Sequence, residues 1–420
     1  MRHKMIFLSS TFPYGKGEKT FIEPELKALM HEYDITLISH AGAGDVADTE
    51  NESVVDTGIT VLHFESHITF LQKICWGLHF FLDREGRQEL ACICRSGGSV
   101  LKKLYQSVGF YILMMEELKY IQKEKLFQAD ENVICYSYWY TYYCYAFLKL
   151  KKQFPDLKVI TRTHGVDLYH ERISGGRQPF KQIMDKELDG VIFAANYAKE
   201  YYRKQFAHDK TDEKYIVCKL GVPKPDRKAH AQGKFGLLSC SYTIPLKRIE
   251  LIIEALSVLN EEDIHWIHIG DGEELEWLKA YAKEKLTSKN NITYEFTGYL
   301  NGSQIQKIYQ EKKIDAFITT SSTEGGCPVS IQEAMSYGIP IIGTDVGGIT
   351  EMICGNGYLL PANPEKKIIA KAIREIYNLE ESEVERLRQN SYDIWHKDYN
   401  IANNLKKLVA AIHYLEGNKI

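Results

Sequence analysis

No apolar run in this 420-residue sequence approaches the roughly 18 residues that a membrane-spanning helix requires. The opening MRHKMIFLSSTFPY carries only a brief apolar stretch before polar and turn residues intervene. That is too short for a secretory leader and suits a first β-strand. The nine cysteines are odd in number and scattered; Cys92 and Cys94 flank a single residue, and no second pair complements them. Neither a zinc knuckle nor a disulfide framework can be read from that spacing, and reduced, mostly buried thiols of a cytoplasmic protein are expected. Charge of one sign is also missing. The net charge is −4, with 29 basic and 29 acidic residues up to Val222 and 23 against 27 beyond it, which excludes the basic balance of a nucleic-acid binder. No Asp-x-Asp is present to hold a divalent ion.

What is there suffices for two cores. Hydrophobic residues make up 44% and charged residues 26%, and the length suits two domains of roughly 200 residues each. Short β-rich runs alternate with helical patterns. The first series is Met5–Ser9, Ile35–Ser39, Thr60–His63, Val133–Tyr136, Val159–Thr161 and Val191–Ala194. A second follows the Pro-bearing stretch GVPKPDRKAHAQGK: Gly236–Cys240, His265–Ile269, Ile292–Phe296, Ala316–Thr319 and Pro340–Gly343. This alternation predicts an α/β protein of two doubly wound, Rossmann-like domains with a cleft between them. The expected boundaries are 1–222 and 223–390, with 391–420 packing back on the first domain. In open sheets of this type ligands bind at the carboxyl ends of strands. The segment Phe70–Phe127 departs from the alternation. It is aromatic and helical in texture and carries Arg84, Arg87, Arg95, Lys102 and Lys103 among KICWGLHFFL and GFYILMM. Its two readings are buried core helices or an amphipathic surface resting on anionic lipid.

The densest information lies in AFITTSSTEGGCPVSIQEAMSYGIPIIGTDVGGITEMI, residues 316–353. A strand at Ala316–Thr319 runs into a small polar loop and a short helix, Ile331–Tyr337, stopped by Gly338 and Pro340. A second strand, Ile341–Gly343, leads into Gly347-Gly348 and another helix start. Two helix N-termini and two glycine loops at one sheet edge form an anion site suited to a pyrophosphate. Glu333 has a competing structural role. Ser330-Ile331-Gln332-Glu333 also reads as a capping box.

Glu333, Ala334, Met335, Gly338 and Pro340 resemble the Glu-x7-Glu, Ala-Met and glycine-proline pattern of the retaining nucleotide-sugar glycosyltransferases of family four. That family has the GT-B fold of two facing Rossmann-like domains, and the resemblance is strongest over 234–353. It implies that Glu333 accepts hydrogen bonds from the donor ribose. It implies too that Glu324 serves as the first glutamate, although Glu324 stands nine positions before Glu333 and the strict position holds Gly325. Gly326, Pro328, Val329 and Ser330 would line the diphosphate. Lys247 matches the family's diphosphate lysine, while Tyr242 and Arg248 stand where an arginine and a glycine are usual; Arg248 is expected to supply the second cation. Gly270 and Gly272, then Thr297 and Gly298, match the nucleotide loops. In the first domain Gly15 and Gly17 resemble the glycine loop, with Glu18 read as an acceptor ligand or a surface carboxylate. His164 matches the histidine beside the donor sugar, and Tyr138 and Trp139 form an expected stacking wall for an acceptor. Arg162 and Asp167 could equally be structural ties.

The activity so implied is front-face, retaining transfer without a metal or cofactor, from a nucleoside-diphosphate sugar to a glycan or lipid-linked acceptor. A UDP-sugar stands ahead of a GDP-sugar. The setting is cytoplasmic, with a weak contact at an anionic membrane and no nucleic acid. A non-catalytic GT-B subunit and a GT-B sugar-nucleotide epimerase are the alternatives.

Overall fold

The computed structural model describes residues 2–14, 16–42, 59–126, 128, 131–208, 213–226 and 233–417. The chain divides into two units, Met1–Cys218 with Leu405–Ile420 and Lys219–Asn404. In the first, seven strands form one sheet: β1 (His3–Ser9), β2 (Tyr33–Ser39), β3 (Thr60–His63), β4 (Val133–Ser137), β5 (Lys158–Thr163), β6 (Gly190–Phe193) and β7 (Tyr215–Val217). Their order is β3-β2-β1-β4-β5-β6-β7, and every pairing is parallel. Met5–Ser9 and all of β4 are buried, the continuous apolar character of strands covered on both faces.

The helices of this unit before Cys218, among the described residues, are α1 (Lys16–Leu29), α2 (Phe70–Leu82), α3 (Arg84–Arg95), α4 (Val100–Glu124), α5 (Tyr142–Leu150), α6 (Lys181–Glu187) and α7 (Asn196–Gln205). Helices α2–α4 are the aromatic segment. Thr69 and Gln72 form a reciprocal capping box at the start of α2. Asp83 ends α2 and, through its carboxylate, accepts from the Glu85 and Gly86 amides at 2.9 and 3.0 Å. A Cβ at Gly86 would stand 1.9 Å from the Phe80 carbonyl oxygen, so only glycine permits this tight reversal.

The second unit has six parallel strands: β8 (Phe235–Cys240), β9 (Ile264–Ile269), β10 (Ile292–Phe296), β11 (Ala316–Thr319), β12 (Ile341–Thr344) and β13 (Gly357–Leu360), ordered β10-β9-β8-β11-β12-β13. Its helices are α8 (Glu250–Ser257), α9 (Leu275–Leu286), α10 (Gly302–Glu311), α11 (Val329–Ser336), α12 (Lys366–Tyr377) and α13 (Glu381–Ile394). The order reverses between β8 and β11, the topological switch point where such sheets open a crevice.

The division differs in detail from the expected boundaries. It falls after Cys218 rather than Val222, and residues 227–232 of the Pro-bearing stretch lie outside the described residues. Residues 391–404 stay with the second unit, because Trp395 and Tyr399 are fully buried there and the Tyr399 hydroxyl lies 3.4 Å from Cys327 Sγ. Only from Leu405 does the last helix, α14 (Ile401–Glu416), join the first unit, where Leu408, Ile412 and Leu415 enter the core.

Candidate active site

In the second unit, side chains with chemistry collect at the switch point. Lys247 ends the single helical turn Pro245–Lys247 that follows β8, and Glu324 lies in the loop after β11. The Lys247 ammonium and the Glu324 carboxylate are 2.5 Å apart, with side chains only 21% and 13% exposed. The turn after β12 holds the Glu324 loop in place. Gly347 has φ +54°, and a Cβ there would lie 1.9 Å from the Glu324 carbonyl oxygen; at Gly348 it would lie 2.4 Å from the Gly326 carbonyl. The two loops nest backbone against backbone, which any side chain at 347 or 348 would prevent. Helix α11 starts immediately after, with Pro328 as its N-cap and Gln332 making the first amide bond back to the Pro328 carbonyl. The amides of Val329, Ser330 and Ile331 precede that bond and lack a helical acceptor.

On the other side of β8, Gly270 and Gly272 take φ values of +143° and +153°. A Cβ at Gly270 would meet the Ser241 carbonyl oxygen at 1.8 Å. The Gly270 amide donates to the Gly298 carbonyl at 3.0 Å, and the Thr297 amide donates to the His268 carbonyl at 3.0 Å. Gly270, Gly272, Thr297 and Gly298 are thus drawn together beside the loop that carries Ser241 and Thr243.

Glu333 stands one turn into α11. The capping-box alternative fails here: the N-cap is Pro328, no side chain caps the helix, and Ser330 is already its second residue. Among the described residues the Glu333 carboxylate has no hydrogen-bond or ionic partner, and burial pushes its pKa up to about 7. Its charge is felt by Cys240 at the end of β8 and by Tyr309 and Tyr337. Those two tyrosines stack at 4.6 Å with planes 9° apart, and the buried Tyr309 hydroxyl has no partner. A carboxylate desolvated without compensation is costly, and sites of this kind concentrate at functional positions.

Two expectations for this unit are corrected. Arg248 does not offer its charge to a diphosphate. Its Nε donates to the Thr320 carbonyl at 2.7 Å, Nη1 to Asn363 Oδ1 at 2.8 Å, and Nη2 to the Ser321 and Ala362 carbonyls at 2.9 and 2.7 Å. Four of five donors are spent tying three loops together. Arg248 also has φ +49°, the left-handed backbone that favours glycine. The second concerns the helix expected at Gly347-Gly348, which is only a three-residue 3-10 turn, Gly347–Ile349.

In the first unit His164 follows β5 and is wedged between aromatic rings, 4.6 Å from Tyr138 and 4.5 Å from Trp139. Burial, reinforced by the nearby Arg162 charge, holds it well below the ordinary imidazole range. Its ring nitrogens have no hydrogen-bond partner among the described residues, Asp167 being 4.0 Å away. A neutral imidazole with one donor and one acceptor vacant results. Arg162 and Asp167 are structural ties: Arg162 pairs with buried Glu25, and Asp167 accepts from the Tyr140 and His164 amides. Glu18 is neither an acceptor ligand nor a surface carboxylate, being 6% exposed and spent on the Ser10, Thr11 and Phe12 amides and the Trp139 indole. Gly15 lies outside the described residues, and Gly17 belongs to the first turn of α1 rather than to a loop. Of the stacking pair, Tyr138 is fully buried, whereas Trp139 lines a cavity of about 630 Å³ with His40, Phe110, Tyr142 and Gln178.

Residues 224–394 match the family described as glycosyl transferases group 1. That match falls within the second unit. The O-antigen biosynthesis glycosyltransferase WbnH of Escherichia coli is 30% identical over 219 residues, 51% of this chain and 59% of WbnH. The chain spans about three-fifths of the length of the curated relatives it matches first. Among solved structures, the lipopolysaccharide outer core galactosyltransferase WaaB superposes with a TM-score of 0.67 at 16% identity, over 97% of this chain and 99% of that one. Anabaena HepE, in complex with UDP and glucose, superposes with a TM-score of 0.65 at 14% identity over 98% and 99%. These likenesses show the GT-B fold.

In the second unit, the residues that the sequence did not point to are Tyr309 and Tyr337, the stacked pair at Glu333. Tyr337 stands four residues after Glu333, a helical neighbour spacing that could have flagged it. Tyr309 comes from α10, and no spacing links it to the motif. Among the described residues no group of three His, Cys, Asp or Glu side chains could hold a metal ion.

Proposed function

We propose that this protein is a retaining, metal-independent hexosyltransferase that moves a sugar from a nucleoside-diphosphate donor, a UDP-sugar before a GDP-sugar, to a glycan or lipid-linked acceptor. The observation that carries the reading is Glu333, a half-buried carboxylate with no partner at the switch point of a glycosyltransferase domain. Ribose hydroxyls are the donors that would satisfy it. Gly270, Gly272, Thr297 and Gly298 would approach the base through backbone, and Gly326, Pro328, Val329 and Ser330 would cradle the diphosphate at the start of α11. Lys247 would answer the charge that grows on the leaving diphosphate, with Glu324 holding it in place until the donor arrives. In the step itself the bond from the anomeric carbon to the diphosphate oxygen breaks, and the acceptor oxygen bonds to that carbon on the same face. The acceptor proton leaves with the diphosphate. His164, neutral and unpartnered, has the chemistry to bind a sugar hydroxyl. The UDP bound by HepE supports the choice of nucleotide.

Replacing Glu333 by glutamine tests the reading, because stability and binding should move in opposite directions. Below about pH 4.5 the carboxyl is protonated in both the folded and unfolded chain and costs nothing. Between pH 4.5 and 7 the unfolded chain ionises first, so the fold loses stability as pH rises, on the order of 2–3 kcal/mol by pH 8. Glu333→Gln should therefore melt higher than wild type at pH 8 and alike at pH 4.5. Its affinity for UDP should fall by about 1.5–3 kcal/mol, the scale of a charged hydrogen bond. Wild type should release a proton on binding UDP at pH 6.5, seen by calorimetry in two buffers. A variant that binds UDP as wild type does would remove Glu333 from the donor site.

A further inference from the structure

The structure leaves one strongly apolar face uncovered, and it is confined to α2 and the first turns of α4. Nine of the eighteen exposed large hydrophobic residues among those described lie between Phe70 and Tyr105. On α2 they are Phe70, Leu71, Ile74, Leu78, Phe81 and Leu82, a spacing that places them on one side of the helix while Trp76 and Phe80 face the core. Leu71, Leu82 and Leu101 are more than 70% exposed, and Tyr105 is 82% exposed. A helix does not keep such a stripe in water without something to cover it.

Charge identifies the cover. Between residues 68 and 107 the exposed charged side chains are Lys73, Arg84, Arg87, Arg95 and Lys102, all cationic. The three carboxylates of the same stretch are turned away. Asp83 caps α3, Glu85 is half-buried and pairs with Lys149, and Glu89 is buried against Arg177. Lys73 and Tyr105 also border a cavity of about 510 Å³ lined in part by Val108, Ile112 and Leu113, which extends the apolar surface inward. Glu116 faces that cavity's rim, accepting from Ser66 and from the His67 amide at 2.7 Å. No helix among the described residues is long and apolar enough to cross a membrane. An apolar stripe whose exposed charges from 68 to 107 are all cationic has the composition of an interfacial helix.

We infer that the α2–α4 face docks on an anionic lipid bilayer, with Phe70, Leu71, Leu78, Leu82 and Leu101 entering the headgroup boundary and the five cations meeting lipid phosphates and carboxylates. This contact does not depend on the donor site, so each can fail without the other. The test is flotation of the full chain with vesicles of pure phosphatidylcholine or of phosphatidylcholine with 30% phosphatidylglycerol. Most of the chain should float with the anionic vesicles at low salt and little with the neutral ones. Each cation contributes about fivefold to partitioning, so Arg84→Glu with Arg87→Glu should lower binding more than tenfold. Leu71→Ser with Leu78→Ser should do so as well. All four positions are exposed, so melting temperature and UDP binding should stay unchanged. Equal flotation with both vesicle types would overturn the proposal, as would wild-type binding by the double serine variant. So would a stable dimer in light scattering that Leu78→Glu dissolves, since the face would then belong to a second copy.

Discussion

A Lys247→Ala chain should turn over about 10²- to 10³-fold more slowly than wild type while binding nucleoside diphosphate almost as well. The lysine is proposed to act on charge that appears only as the glycosidic bond breaks, and removing one such donor costs about 2.7–4 kcal/mol in the transition state. Its placement supports an effect of that size. The ammonium is largely screened from water and is already positioned by Glu324 at 2.5 Å, so no reorganisation is needed when the donor binds. On this proposal Glu324 and the donor diphosphate would compete for the same cation, which would keep the ground-state contribution of Lys247 small. Steady-state rates with the donor selected by thermal shift, set beside calorimetry of the diphosphate, separate the two effects. Unchanged turnover would take Lys247 out of the mechanism, and equal losses in turnover and affinity would make it a binding group.

The largest loss of stability is expected at Arg162→Met, about 3–5 kcal/mol, because it strips the partner from a buried carboxylate. Arg162 is 1% exposed and pairs with Glu25, while its Nη2 donates to the Cys218 carbonyl at 2.8 Å. Burial raises the Glu25 pKa, and the Arg162 charge and the Tyr136 hydroxyl pull it back down. Without the guanidinium, burial acts unopposed. The folded-state pKa then rises further above that of the unfolded chain, so the variant should be least stable at high pH and recover as pH falls toward the ordinary carboxylate range. Urea unfolding at pH 5 and pH 8 would show it, and adding Glu25→Gln should restore most of the loss at pH 8. A deficit equal at both pH values would mean that packing, rather than the stranded charge, is what Arg162 contributes.

The layered architecture could be read from periodicity because central strands such as Met5–Ser9 and Val133–Tyr136 are apolar on both faces. The two strands that escaped notice are both at sheet edges. Tyr215–Val217 is three residues long, and Gly357–Leu360 has only Leu360 buried, so neither carries a usable pattern. Glycines proved informative where two backbones meet, as at Gly347, Gly348 and Gly270. Side-chain direction was the opaque part. Glu18, in the first turn of α1, and Arg248, after β8, are residue types that suit ligands, yet both are consumed largely by backbone groups that only the folded chain brings near. The capping box at Ser330 misled because Pro328 starts the helix two residues earlier. The surroundings of Glu333 stayed hidden for another reason: Tyr309 reaches it from a helix more than twenty residues upstream.

The division of the chain also has a consequence for how the protein is made. The first unit takes residues from before the second and also most of α14, whose Leu408, Ile412 and Leu415 belong to its core. The second unit lies wholly between, and its entry and exit are tied by hydrogen bonds from the Val222 amide to the Tyr399 carbonyl and from the Ile401 amide to the Val222 carbonyl. During synthesis the later unit can therefore close while the earlier one still waits with an open groove in its sheet. For that interval Met5, Phe7 and Leu37, which share a core with those three residues, lack part of their cover. A chain cut short just before Leu405 would hold the whole of the second unit and lack part of the core of the first.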